Sequence, residues 1–571
     1  MRSRPWLSLV GWLLLFGGGG LAHLIQTAGG ISIDDVRFEF EPGKQLAALL
    51  YRPANATEST PAPAVLAVHG YINSRETQSG FAIELARRGY VVLAIDQTGH
   101  GFSEGAAFSA GYGGPAALRY LRSLPFVDAN NIGLEGHSMG GWTALSAAAE
   151  EPMGYRSVAL VGSSTGPGFA PVGTLEFPRN LGVIFSCYDE FSQLMWGVQT
   201  GCGVVASEKL MSVFGTTDAV VPRQLYGSIE AGNARWLTIP MTTHPGDHLS
   251  HEAIADTLDW LGQTLRGGQD RSSADQIWLW KELGTLLALI GGVCILLGSF
   301  DLTLSLPLFS AARSNGPTEG ALQRTDRRWW TGLLVFSVIA PLTYFPLVAL
   351  GAAFTPNTVF AQGITNQILV WAIGNGLITL LLGSFMRRPA NPATELQRQG
   401  NQTLRAALAA LAGVLAVSVL YLAVVLSDVL FTTDLRFWVV ALKALAPHHV
   451  PVFLACVLPF TAFFWISQKA WHDTLSLRTS SAVQYVSAIA GSVGGLVVML
   501  AGLYVWLLIR GQLPAVDPLF TIVAIQFVPV LTISTIISVF TWRRTGGIAA
   551  GAVMSGVFVT WYVIAGQATH V

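Results

Sequence analysis

Gly136-His137-Ser138-Met139-Gly140 places a serine between two glycines, each two positions away. That spacing suits a serine held in a tight strand-to-helix turn, where a side chain at either glycine would clash. A serine hydroxyl is a weak nucleophile until an adjacent base takes its proton. A helix N-terminus behind Ser138 would favour the negative charge that develops on an attacked carbonyl. The chemistry is therefore acyl transfer, and it needs a base. His244, His248 and His251 fall in one short stretch and are the candidates. The four cysteines, Cys187, Cys202, Cys294 and Cys456, form no CxxC or Cys/His cluster with zinc spacing. Neither a metal nor a cofactor is expected.

A turn of this kind needs a sheet beneath it. Continuous apolar runs, as expected of strands buried on both faces, occur at Ala64–Val68 and Tyr90–Ile95. Asn131–Glu135 leads into the serine turn, and Trp142–Glu150 reads as the helix after it. Ser157–Val161, Leu210–Phe214 and Trp236–Ile239 read as further strands. Helical patterns such as Phe81–Arg88 and Gly114–Leu121 separate them. This alternation predicts an α/β domain with a doubly wound, mostly parallel sheet.

At this point the sequence resembles the α/β-hydrolase superfamily, in its serine esterase, lipase and serine-aminopeptidase-like branches. The resemblance covers roughly residues 35–265. His69-Gly70-Tyr71 stands where family members place an oxyanion-hole motif. Asp96-Gln-Thr-Gly-His-Gly-Phe-Ser103 is similar to a family segment, and Gly215-Thr-Thr-Asp218 with Val221-Pro222 is similar to the acid-bearing turn. The resemblance implies Ser138 as nucleophile, Asp218 as the orienting acid and His244 as the base, with His248 and then His251 as alternatives. It implies the backbone N–H groups of Tyr71 and Met139 as the oxyanion hole. It also implies a cap inserted at about 163–207, whose aromatic stretch from Phe177 to Trp196 either packs onto the sheet or forms an acyl pocket or lid. Cys187 and Cys202 fall in that cap, either as a bridge or as two buried thiols. The expected substrate is a small-molecule, lipid or peptide acyl compound; an ester is favoured over an amide or peptide.

The rest of the chain is of another kind. Hydrophobic residues make up 51 % of the 571 and charged residues 12 %, against about 25 % charged in soluble domains. A spanning helix needs about 20 apolar residues. Eight such runs follow the soluble part, near 283–306, 330–353, 366–386, 406–430, 450–468, 483–509, 518–540 and 547–567. One more, Trp6–Ile25, precedes it, within an N-terminal anchor or signal anchor of residues 1–30. The division is then a hydrolase domain at 31–268, a linker at 269–282 and an all-α multi-span transmembrane domain at 283–571. Arg2, Arg4 and the loops with Arg313, Arg324, Arg327 and Arg328, with Arg387, Arg388 and Arg398, with Lys469 and Arg478, and with Arg543 and Arg544 are assigned to the cytoplasm. That assignment places the hydrolase domain outside a cell membrane crossed several times. A lipid bilayer is the expected partner, and the net charge of -1 gives no reason for nucleic acid. Oligomeric state stays open. A transporter with a hydrolase appendage is the competing reading; the spans are nearly free of ionisable residues, which disfavours an ion-coupled one.

Overall fold

The computed structural model describes residues 5–314, 327–386, 402–475 and 480–571. Arg2, Arg4, Arg324, Arg387, Arg388, Arg398 and Arg478 lie outside the described residues. Eight strands form one sheet: β1 Ser32–Glu41, β2 Lys44–Arg52, β3 Ala62–Val68, β4 Val91–Ile95, β5 Val127–His137, β6 Ser157–Val161, β7 Leu181–Ile184 and β8 Arg235–Thr238. Their order is β1-β2-β4-β3-β5-β6-β7-β8. The β1–β2 and β2–β4 pairs are antiparallel, and all later pairs are parallel.

Side chains alternate across a strand. In β3, Ala64, Leu66 and Val68 enter one core while Val65 and Ala67 enter the other. The first core is closed by α3 (Gly114–Ser123) and α4 (Met139–Glu150). The second is closed by α2 (Ser79–Ala86) and α7 (His251–Thr264). Both faces are therefore covered, which is why the central strands read as unbroken apolar runs.

The structure departs from the sequence reading in the sheet: β1, β2 and β7 were not among the expected strands. Leu210–Phe214 lies in helix α6, Glu208–Phe214, not in the sheet. The strand in that place is β7, which lies inside the 163–207 stretch read as a cap. The longer excursion follows β7 instead, and carries α5 (Ser192–Trp196) and α6. Cys187 and Cys202 are bridged within it, with a Cα–Cα distance of 4.3 Å.

Among the described residues, nine helices are long and apolar enough to cross a membrane. They are α1 (Pro5–Gln26), α8 (Trp278–Thr303), α9 (Arg327–Gly351), α10 (Gly363–Met386), α11 (Gln402–Phe431), α12 (His449–Leu475), α13 (Ser481–Arg510), α14 (Pro518–Thr545) and α15 (Ala549–Gly566). α1 and α8 run antiparallel in backbone contact. A Cβ on Gly18 would lie 2.4 Å from the Gly284 oxygen, and one on Gly291 would lie 2.7 Å from the Gly11 oxygen. Small residues let helices approach this closely, and in a membrane close approach is a main source of helix association.

Between α11 and α12 a hairpin, β9 (Leu435–Phe437) with β10 (Val440–Leu442), rests on the sheet domain. Arg436 joins Asp434 at 2.7 Å and reaches Thr77 Oγ1 at 2.9 Å. After α15 the chain end pairs with the same domain: the Thr569 N–H donates to the Gly99 carbonyl at 2.8 Å, and the Ala107 N–H donates to the Thr569 carbonyl at 2.7 Å.

Candidate active site

β5 ends at His137, and α4 begins at Met139, so one residue makes the turn between them. Ser138 does so with φ 55° and ψ -123°, a region L-residues seldom occupy and one that persists only when neighbours over-determine it. A Cβ on Gly136 would lie 2.2 Å from the Gly140 oxygen, and one on Gly140 would lie 2.1 Å from the Val68 oxygen. Both flanking glycines are therefore required by close approach. Gly70 is as near to the serine: a Cβ there would lie 3.1 Å from Ser138 Cβ. Tyr71 and Met139 line the same cavity as Ser138. Among the described residues, the backbone N–H of neither has a hydrogen-bond acceptor.

β7 and β8 are parallel neighbours, and their pairing continues past their ends. The Cys187 N–H donates to the Pro240 carbonyl at 2.9 Å, and the Tyr188 N–H donates to the Thr242 carbonyl at 3.1 Å. An isolated bridge joins Tyr188 to Thr243. The next residue on each side is then Asp189 and His244, and Asp189 Oδ2 lies 2.8 Å from His244 Nδ1. The other oxygen, Oδ1, accepts from the Phe191 N–H at 2.7 Å. Asp189 is 1 % exposed and His244 is 4 % exposed, so solvent does not loosen the pair. Burial pushes His244 down to about 4, which leaves an imidazole uncharged at neutral pH, as a base must be. Burial, and then the Asp247 carboxylate, push Asp189 up, while the Phe191 N–H works against them.

Asp218 is not part of this arrangement. It is exposed, and its N–H donates to Thr216 Oγ1 at 3.1 Å. The acidic partner of His244 is Asp189, because the acid follows the strand next to β8, and that strand is β7. His244, preferred on sequence, is brought to the cavity with Ser138. His248 also lines the cavity, beside His137 at 4.2 Å between ring centres, and its two ring nitrogens have no hydrogen-bond partner among the described residues. His251 is exposed at the start of α7, where its Nδ1 meets Gln276 Oε1 at 2.9 Å.

Besides Asp189, three titratable groups near His244 were not singled out from the sequence. Asp247 Oδ1 accepts from Ser186 Oγ at 2.5 Å. His137 Nε2 lies 3.0 Å from the His244 carbonyl. Glu190 Oε2 accepts from the His244 N–H at 2.8 Å, and Glu190 Oε1 accepts from the Tyr504 hydroxyl, at the end of α13, at 2.8 Å. Burial, and then Asp189, push Glu190 up to about 8. Trp438 of the β9–β10 hairpin donates its Nε1–H to the Pro245 carbonyl at 2.6 Å. The helical half of the chain therefore touches the loop that holds His244.

Residues 63–181 match the family model described as the α/β hydrolase fold. Esterase YjfP of Escherichia coli is 25 % identical over 230 residues, covering 36 % of this chain and 91 % of that protein. A dienelactone hydrolase from Anabaena variabilis is similar in structure with a TM-score of 0.30 and 20 % identity, over 41 % of this chain and 99 % of that one. A hypothetical protein of Pseudomonas aeruginosa is 29 % identical with a TM-score of 0.22; the match spans 24 % of this chain and only 43 % of that structure. The sheet half of the chain is an α/β-hydrolase domain, followed by a helical region of several apolar helices.

Proposed function

We propose that this chain is a membrane-embedded serine hydrolase that cleaves carboxylic esters through Ser138, His244 and Asp189. The observation that carries it is the 2.8 Å contact of Asp189 with His244, whose ring lines the cavity that holds the strained Ser138. Ser138 Oγ attacks the ester carbonyl carbon, and its proton passes to His244 Nε2. Asp189 orients the ring and stabilises the imidazolium. The N–H groups of Tyr71 and Met139 bind the oxyanion, an effect of roughly 3 kcal/mol per donor. The C–O bond breaks, His244 returns the proton to the leaving alcohol, and an acyl-Ser138 remains. Water, deprotonated by His244, then releases the acid and restores the serine. The similarity to an esterase favours esters over amides.

The nine apolar helices hold the chain in a bilayer, with the hydrolase domain on its outer side. A cysteine placed at Ser272 reacts with a membrane-impermeant maleimide in intact cells if that side is right, and only after lysis if it is wrong. The enzyme reading is tested with a fluorophosphonate probe and p-nitrophenyl acetate on the purified full chain. Ser138→Ala is expected to abolish labelling and to lower turnover by several orders of magnitude. Retention of a substantial part of wild-type turnover would remove Ser138 from the mechanism.

A further inference from the structure

The cavity over Ser138 is not enclosed by the hydrolase domain alone. Trp438 and Val439 of the β9–β10 hairpin and Leu519, Ile522 and Gln526 of α14 form part of its wall. α14 is one of the nine helices apolar enough to cross a membrane, and Leu519 and Ile522 lie in its first two turns. A molecule seated on Ser138 therefore touches the end of a spanning helix. The cavity measures about 210 Å³, larger than the roughly 150 Å³ apolar cavity that takes a benzene ring. Among the described residues, no Asp, Glu, Lys or Arg lines it. Such a wall offers a phosphate, a carboxylate or an ammonium no opposite formal charge, only neutral groups such as Asn73, His248 and Gln526, and burying a charge without a charged partner is unfavourable. An uncharged chain meets apolar side chains there, among them Phe191, Met195, Leu519 and Ile522.

We propose that the substrate is a bilayer-resident ester whose acyl chain lies along Leu519 and Ile522 while its carbonyl reaches Ser138. The proposal rests on the reading of Ser138 as the nucleophile. It makes the first turns of α14 the determinant of chain length. The headgroup, not the chain, then bears whatever polarity the substrate has.

The test uses the full chain reconstituted in phosphatidylcholine vesicles. Wild type is expected to prefer p-nitrophenyl decanoate to p-nitrophenyl acetate in kcat/KM. Ile522→Trp is expected to lower the decanoate-to-acetate ratio by about tenfold or more, the range by which an apolar pocket discriminates. An unchanged ratio in a variant that still labels with the fluorophosphonate probe would overturn the proposal. Should Ile522→Trp fail to fold, Leu519→Ala serves: the preferred ester should lengthen beyond decanoate, and an unmoved optimum would overturn it equally. Monooleoylglycerol carried in the same vesicles is the second arm. Release of oleate that Ser138→Ala abolishes supports the bilayer source. No release, while p-nitrophenyl acetate is still turned over, rejects it. Loss of Ser138-dependent acetate turnover altogether would instead defeat the enzyme reading beneath.

Discussion

A carboxylate orients an imidazole only from within hydrogen-bond reach. Asp189 stands 2.8 Å from His244 Nδ1, while Asp218 is exposed and turned to Thr216. Asp189→Asn keeps the shape and removes the charge that holds the tautomer. It is expected to lower kcat on p-nitrophenyl acetate by roughly 10³–10⁴-fold, as loss of a triad acid does elsewhere. Asp218→Asn is expected to stay within about twofold, since surface changes seldom disturb a site. Equal losses in the two variants would reverse the assignment. Ser138 was legible in the sequence because its constraint is local: two glycines, one strand and one helix. Tyr71 and Met139 were named as oxyanion donors only through the resemblance to the α/β-hydrolase superfamily, and both line the Ser138 cavity. The acid was not legible, because Gly215-Thr-Thr-Asp218 and Cys187-Tyr-Asp189 both offer an Asp after an apolar run. Only the sheet decides between them.

The choice of acid is a choice of strand. Leu181-Gly-Val-Ile184 is short and holds a glycine, which weakens any strand signal. The glycine is there because a Cβ on Gly182 would lie 2.6 Å from the Trp260 ring. Leu210–Phe214 is more apolar, yet it carries helix punctuation at both ends. Ser207 Oγ caps it by accepting from the Leu210 N–H, and Gly215 closes it with φ 67°. The apolar run was legible, and its period was misread. The long apolar helices were easier, because twenty apolar residues without a charge admit few other structures. The bridge between Cys187 and Cys202 acts at the same scale, since Cys187 lies two residues before Asp189. A bridge closing a loop of that size stabilises by about 3 kcal/mol in the chain-entropy model. The Cys187→Ala/Cys202→Ala pair is therefore expected to lower Tm by several degrees and to reduce kcat by loosening Asp189. Mass spectrometry of a non-reduced digest checks the bridge, and calorimetry with a turnover assay checks its effect. A doubly substituted protein with wild-type Tm and kcat would show that the bridge orders nothing in the site.

At the scale of the whole molecule, the two halves share one end of the helix bundle. The hairpin between α11 and α12, the end of α13, the start of α14 and the tail after α15 all meet the hydrolase domain. The run of apolar helices and the α/β-hydrolase domain were legible separately, one from hydropathy and the other from motifs. Their meeting was not, because a cavity lined by both Ser138 and Ile522 has no trace in local pattern. One link runs from Tyr504 through Glu190 to the backbone of His244, each step 2.8 Å. Tyr504→Phe leaves Glu190 Oε1 buried without its donor, a loss of about 1–3 kcal/mol. With the base less firmly held, kcat is expected to fall by about tenfold while KM for p-nitrophenyl acetate stays unchanged. A drop in KM alone, or none in either, would show that the link is only structural. Glu190 gives a second readout, because its carboxyl is pushed up to about 8 from 4.5. Between those values the folded chain keeps a proton that the unfolded chain has released. Stability from this group is thus full below about pH 4.5 and is lost as pH rises through about 8. Glu190→Gln cannot titrate, so its Tm should hold steadier than wild type between pH 5 and 9. If the two Tm profiles ran parallel across that range, Glu190 would not be the group that couples the buried link to pH.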